Sequence, residues 1–463
     1  MNRSFHIAWL LALVALSIAG WAVLGAAGFD GGDFSLLVYA LANLIVFSDA
    51  FDFAVRAVLR RRRPQLASAG AEGGSCVSVE LPALPSLQPR SITRPYAILV
   101  SVHNLAAHFD EFVEAMHPYR DRIWVIDDAS TDETALRLRH LGWRCLEGGI
   151  NRKKPGAIRA LVASLPPEIE SVMVVDPDIR LRAPDGGPAP LERVVADFQR
   201  SKMAALCPRL AIRKDGLLGR FQSLEYSLAF DLGRRGLADH CITSGIALYR
   251  RSDLAEVLAR HSQSVYAEDL ENTLLLLGRG GRIYYDGRLV AETHAMDTWR
   301  HWFSQRVGWH FGLLKVYFER SRELRRVAAL GTCAVYQFIV YTGLFALLLY
   351  PLKLASGALL LVSLANGIDG LVGLDAIPDT ALTNPFYAAS ACFKYTLLSL
   401  VASFMVLPKR DGDYVRPIVP LYLFYVLAHL APMGVGYANW FAVRLRGRRL
   451  YRDHYDVDAP AMR

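Results

Sequence analysis

Cysteine and charge are both scarce in this chain of 463 residues. The six cysteines (Cys76, Cys145, Cys207, Cys241, Cys333 and Cys392) are scattered, with no CxxC pair. That spacing builds neither a zinc site nor a disulfide framework, and it suits a reducing compartment. Charged residues make up only 21% of the chain against 53% hydrophobic. Soluble domains of this size carry more charge. Internal repeats are absent. The net charge of +8 comes from arginines that cluster beside apolar runs. Such clusters are the flanks of membrane helices, and they argue against a nucleic-acid-binding stripe.

What is present is an uneven distribution of apolar residues. Residues 7–27 are almost wholly apolar, long enough to cross about 30 Å of hydrocarbon. A second apolar stretch, Phe34 to Val58, follows at once, which argues against a cleaved signal peptide. It ends in Arg60, Arg61, Arg62 and Arg63. By the positive-inside rule this block is cytosolic, so residues 1–63 read as a transmembrane hairpin. Residues 64–94, rich in Ala, Gly, Ser and Pro, read as a linker. Residues 95–292 alternate strand-like runs (97–102, 122–128, 171–176, 203–208) with helical patterns near 106–116, 132–141 and 155–164. Alternation of this kind implies βαβ units and a mostly parallel sheet. Residues 293–327 are aromatic and basic, as at a membrane interface. Apolar spans follow near 328–350, 354–374, 386–407 and 417–443. Asn366 and Asp369 count against the second of these as a crossing, and Pro432, Gly434 and Gly436 suit a kinked or re-entrant last segment. Residues 444–463 form a basic tail.

The chemistry-bearing residues sit at strand ends, where ligands bind in open α/β sheets. Asp127 and Asp128 follow the strand-like IWVI. Helix capping accounts for Ser130 to Glu133, but not for two acids directly after a buried strand. Asp176 and Asp178 flank Pro177 after SVMVV. Two carboxylates so spaced can face one hard divalent cation, which also binds substrate phosphates. Glu268 and Asp269 open a helical run. Dipole compensation explains acids there, yet a carboxylate that removes a proton from an attacking hydroxyl fits equally. Asp269 is the favoured base. Lys154 precedes a helical stretch beginning Pro155-Gly156, so it reads either as a solvated cation or as a charge beside phosphates. Gln305, Arg306 and Trp309 lie in the interfacial stretch. Trp there serves as an anchor or stacks on sugar, and Arg pairs with diphosphate.

Taken in order, these segments resemble the family-2 glycosyltransferases of the GT-A fold, especially the membrane-embedded hyaluronan, chitin and cellulose synthases and the ceramide glucosyltransferases. The resemblance covers residues 95–312 by motif and the flanking helices by layout. It implies an α/β GT-A fold: a Rossmann-like mixed sheet, mostly parallel, in a cytosolic domain with flanking transmembrane helices. It implies that Asp127 and Asp128 contact the uridine of a UDP-sugar, with Asn104 nearby. Lys154 matches the Lys-x-x-Ala element, and Asp176 and Asp178 the Asp-x-Asp that holds Mg2+ or Mn2+ on the diphosphate. Ser244 and Gly245, with Tyr249-Arg250-Arg251 after them, match the acceptor-side segment. Glu268 and Asp269 match the acidic pair, Asp269 as base, while Gln305 and Trp309 match the Gln-x-x-Arg-Trp signature. The sequence departs from the pattern at Leu105, where the family has Glu, at Ala267, where it has Thr, and at Gly308, where it has the signature Arg. Arg306 is the expected substitute for that Arg on the diphosphate.

The expected reaction is a single inverting transfer. The expected enzyme is a processive polysaccharide synthase that passes the glycan through its own helices, in a bacterial inner membrane with membrane lipid around it. The alternative is a single transfer to a lipid acceptor such as ceramide, diacylglycerol or polyprenyl phosphate. A third reading is a scaffold with an inactive transferase domain. A solute pathway carries more intramembrane ionisable groups than Asn366, Asp369, Lys394 and His429 provide. The chain runs about twenty residues past its last apolar span, so control by a cyclic-dinucleotide domain is expected to need an accessory subunit.

Overall fold

A computed structural model describes residues 35–61, 94–213, 216–237, 239–264, 266–374, 376–407 and 409–453. The first apolar stretch and most of the linker lie outside these residues. The chain divides into two compact units: Met1–Leu59 with Tyr336–Pro432, and Arg60–Val335 with Met433–Arg463.

The second unit is built on an eight-stranded mixed sheet, in the order β3-β2-β1-β4-β7-β6-β8-β5. The strands are β1 (Tyr96–Val102), β2 (Ile123–Asp127), β3 (Cys145–Glu147), β4 (Ser171–Val175), β5 (Arg180–Arg182), β6 (Ala205–Arg213), β7 (Ile246–Arg250) and β8 (Ile283–His294). This is the expected α/β architecture with a mixed sheet. The first, second and third expected strands form within one or two residues of their sequence limits, and the fourth extends to Arg213. β1, β2 and β4 are continuously apolar because both faces are covered. Ile98, Val100, Ile123, Val125 and Met173 are fully buried in the core they share with Phe112, Met116 and Phe198.

Register explains why the site forms where it does. β2, β1 and β4 run parallel, with Val102 beside Asp127 and Leu99 beside Val174. Their carboxyl ends therefore share one edge. β7 is antiparallel to β4 and pairs Val175 with Ile246, so the start of β7 meets the end of β4. That brings Gly245 to Asp176, whose amide donates to the Gly245 carbonyl at 3.0 Å.

The Trp299–Glu319 helix is capped by Thr298, whose hydroxyl accepts from the His301 amide at 3.2 Å. It buries Trp302, Arg306, Val307, Phe311 and Tyr317. The aromatic stripe is thus largely packed inside protein, while Trp299 and Phe318 remain exposed. Gly436 explains a close approach: a Cβ there would meet His310 Cβ and the Val307 carbonyl at 2.8 Å. The helix containing Gly436 runs unbroken through Pro432 from Tyr422 to Arg446. Beyond it the chain folds back. Asn439 Oδ1 accepts from the amides of Leu450 and Tyr451 at 3.0 and 2.9 Å. Asp453 is fully buried and accepts from the Tyr266 hydroxyl at 3.2 Å and Arg449 at 3.1 Å.

The first unit is helical. Among the described residues, three helices are long and apolar enough to cross a membrane: Tyr350–Val372, Phe386–Val406 and Asp411–Arg446. The Leu36–Ala42 and Leu44–Leu59 helices meet the same test together, with a 60° bend between them. The expected 328–350 span is instead a short apolar helix, Thr332–Leu348. Asn366 and Asp369 are accounted for locally. Asn366 donates to Asp379 at 2.7 Å, and Asp369 accepts from the Ile377 amide at 2.9 Å. The Leu44–Arg61 helix adds further buried ionisable groups. Arg56 pairs with Asp52 at 2.8 Å and donates to Gln337 at 3.0 Å, and Tyr336 donates to Asp52 at 2.7 Å. Partnering of this kind is what makes a charge tolerable among apolar helices.

Candidate active site

The loops at the shared sheet edge hold one another. Asn104, in the left-handed region at φ 53°, donates its amide to Ser130 Oγ at 2.9 Å and accepts from the Thr131 amide at 2.8 Å. It ties the loop after β1 to the loop after β2. Asp127 and Asp128 are buried. Asp127 accepts from the Ser130 amide at 3.3 Å and Asp128 from the Arg152 amide at 2.8 Å. One oxygen of each acid therefore serves the loop, as capping side chains do.

The Lys153–Ser164 helix begins with Lys153 in the left-handed region. Its next residue, Lys154, enters the site. Lys154 Nζ lies 2.7 Å from Asp176 Oδ1 and 3.3 Å from Glu268 Oε1. Lys154 thus bridges two acids from distant segments rather than standing free in solvent. Burial lowers the affinity of Lys154 for its proton, but Asp176, Asp269 and Glu268 outweigh it and hold the ammonium well above its usual range. Asp176 is pushed up to about 6, chiefly by burial and against the pull of Lys154. Glu268 is pushed up to about 7 by burial and then by the adjacent Asp269.

Asp178, two residues on, is exposed. It accepts from the Thr293 hydroxyl and from the His294 amide, the latter at 3.3 Å. The Asp-x-Asp segment is thus anchored at one end by Lys154 and at the other by the end of β8. Among the described residues, no three His, Cys, Asp or Glu side chains converge as a ready metal cage. Two carboxylates at a strand end still fit a hard cation, which completes its shell with water and phosphate oxygens.

Gly245 permits this arrangement. A Cβ there would fall 2.9 Å from Asp176 Cγ and closer still to Oδ2. Ser244 Oγ donates to the Ile246 carbonyl at 3.2 Å. Thr243 Oγ1 donates to the Asp269 carbonyl at 2.7 Å, and its amide donates to Thr273 at 2.9 Å. The loop before β7 therefore touches both the Asp-x-Asp and the acidic pair. Ala267, at φ 51°, turns the chain into the Glu268–Leu277 helix. Arg250 and Arg251 are committed elsewhere, to the carbonyls of Met203 and Leu165, both at 2.8 Å.

Arg306 is placed differently from its expected role. It is 1% exposed, pairs with Glu225 at 2.7 Å, bonds Gln305 and lies 3.9 Å above the Trp309 ring. Its charge is neutralised inside the protein by Glu225. Gly308 is buried in the same helix. Glu225, Thr243 and Thr293 were not singled out from the sequence. Each acts across a long sequence separation and carries no local signature.

No protein-family model matches the chain, and no curated protein matches it. Among solved structures, the chain is similar to a mannosyltransferase from Pyrobaculum calidifontis in complex with GDP-Man and Mn2+. The TM-score is 0.45 at 15% identity, over 86% of this chain and 98% of that one. It is also similar to glucosyl-3-phosphoglycerate synthase from Mycobacterium tuberculosis in complex with phosphoglyceric acid. There the TM-score is 0.30 at 13% identity, over 49% of this chain and 80% of that one.

Proposed function

We propose that this chain is a membrane-associated, inverting glycosyltransferase that uses a UDP-sugar. The observation that carries the proposal is Lys154 bridging Asp176 and Glu268 at the shared edge of the sheet. A lysine held charged among three acids is costly for folding alone, and it suits a site that receives a diphosphate and a divalent cation. Asp176 and Asp178 would hold Mg2+ or Mn2+. That ion would supply charge stabilisation to the departing diphosphate. Lys154 faces the same charge once the acids are partly neutralised. Asp127 and Asp128 line the loops where the uridine would lie.

Glu268 is engaged with Lys154, which supports Asp269 as the base. In the reaction, the acceptor oxygen forms a bond to the anomeric carbon as the bond to the diphosphate oxygen breaks. The hydroxyl proton passes to Asp269, and the nucleoside diphosphate leaves with the bonding pair. The intact Lys154 cluster counts against an inactive scaffold.

Between polymer and lipid products, one observation favours single transfer to a lipid acceptor over processive synthesis. The resemblance assigns a signature Arg to the diphosphate; here that position is Gly308, and Arg306 is occupied by Glu225.

The test is nucleoside-diphosphate release by the detergent-purified protein with Mn2+ and a panel of UDP-sugars, with lipid extract added. Release with one donor, abolished by a chelator and by Asp269→Asn, is the expected result. Undiminished release by Asp269→Asn would remove Asp269 as base. Product length on a denaturing gel separates polymer from a lipid bearing one sugar.

A further inference from the structure

Arg234 is a buried arginine with donors to spare. It is 2% exposed and lies in the Gly233–Leu237 helical turn. Nη1 donates to the Pro208 carbonyl on β6 at a long 3.5 Å, and the guanidinium lies 5.1 Å from the Phe230 ring centre. Nε and Nη2 have no hydrogen-bond partner among the described residues. Asp231, the neighbouring acid, is engaged by Arg209 at 3.6 Å and by the Tyr285 hydroxyl. A buried guanidinium without a counter-charge is strongly unfavourable. Nε and Nη2 form the edge of the guanidinium that grips an oxyanion with two parallel hydrogen bonds.

The surroundings place this edge on the acceptor half of the site. The loops expected to hold the donor follow β1, β2 and β4, whereas Arg234 packs on β6, beyond β7. Phe230 meets Trp309 edge-to-face at 6.4 Å, so Arg234 lies one ring away from the signature tryptophan. Cys241 Sγ donates to the Arg234 carbonyl at 3.4 Å. That contact begins the loop whose Thr243 holds Asp269. The Cys207 thiol lies within electrostatic reach of both Arg234 and Asp269. Phe230 itself sits in a π-helical turn, Ser227–Leu232, a distortion common at functional sites.

We propose that Arg234 is the receptor for a phosphate ester carried by the acceptor, which it docks beside Trp309 for attack assisted by Asp269. This deepens the transferase reading and rests on it for the word acceptor; the anion site itself stands on Arg234 alone. The test is thermal unfolding of the detergent-purified full chain, titrated separately with inorganic phosphate and with UDP plus Mn2+. The proteins are the wild type, Lys154→Met and Arg234→Met.

Phosphate is expected to stabilise the wild type and Lys154→Met alike. Arg234→Met is expected to lose at least tenfold in apparent phosphate affinity while UDP binding is unchanged. Without any ligand, Arg234→Met should melt higher than the wild type, because a buried charge with no ion-pair partner among the described residues is gone. Phosphate protection retained in Arg234→Met would overturn the site. An equal tenfold loss for UDP would overturn the acceptor assignment, since the oxyanion would then be the donor's diphosphate. If Arg234→Met does not fold, Arg234→Gln carries the same readout. Because phosphate binding needs no turnover, a chain that binds phosphate through Arg234 yet releases no nucleoside diphosphate would sink the transferase reading and leave the anion site standing.

Discussion

Replacing Gly245 with alanine isolates the geometry of the Asp-x-Asp from everything else. The added Cβ would fall 2.9 Å from Asp176 Cγ and closer to Oδ2. Ordinary separation is about 3.5 Å, so Oδ2 has to move by more than about 1 Å. What yields is the end of a side chain rather than backbone, and the φ at Gly245 is not in the left-handed region. The fold should therefore survive, at a cost of about 1–2 kcal/mol for the weakened pair with Lys154 and an off-rotamer carboxylate. Catalysis should not survive so well. A displacement of about 1 Å in a positioning group costs roughly 10²-fold in rate, or about 2.7 kcal/mol of barrier. The assay is nucleoside-diphosphate release at saturating donor, beside Mn2+ titration by electron paramagnetic resonance. Full turnover and unchanged Mn2+ affinity in Gly245→Ala would refute the reasoning.

Other outcomes follow from the same contacts. Arg306→Ala removes the buried guanidinium that pairs with the part-buried Glu225 and should destabilise by about 3 kcal/mol in denaturant titration. The double variant Arg306→Met/Glu225→Met should recover most of that loss, which a diphosphate-binding Arg306 would not predict for activity. Gly436→Ala forces the Val307–Phe311 backbone away and should cost about 1–3 kcal/mol by overpacking. His261, buried beside Glu271, is held below its usual range first by burial. Its folded value lies under the unfolded one of about 6.5, so the unfolded chain binds the extra proton. Stability should be full above pH about 6.5 and fall as pH drops toward the lowered value, and His261→Gln should flatten that part of the melting profile.

The strand ends and their acids were legible because each lies on a local pattern. An apolar run followed by Asp needs no partner to be recognised, and β1, β2 and β4 formed where expected. Lys154 was only half legible. Its sequence context allows a solvated cation, and the acid it meets, Glu268, lies 114 positions away, beyond any local pattern. The burial of Arg306 is not legible, because its neighbours have the composition of an interfacial stretch and its partner Glu225 comes from a different helix. Arg234 gave no signal, since a buried arginine resembles any other basic residue until its donors are counted. The Asp52–Arg56 pair is hidden because it lies inside an apolar run whose only evident feature is the arginine block that follows it.

The contact between Tyr266 and Asp453 spans 187 positions. During synthesis at about 5–20 residues per second, the ribosome needs roughly 10–40 s to travel that distance. The sheet and its acids are complete long before Asp453 emerges. The loop leading into Glu268 thus receives this anchor only after the long apolar helices have been made. A nascent chain therefore holds its sheet in finished form while the turn into Glu268 still waits for a partner from the far end of the chain.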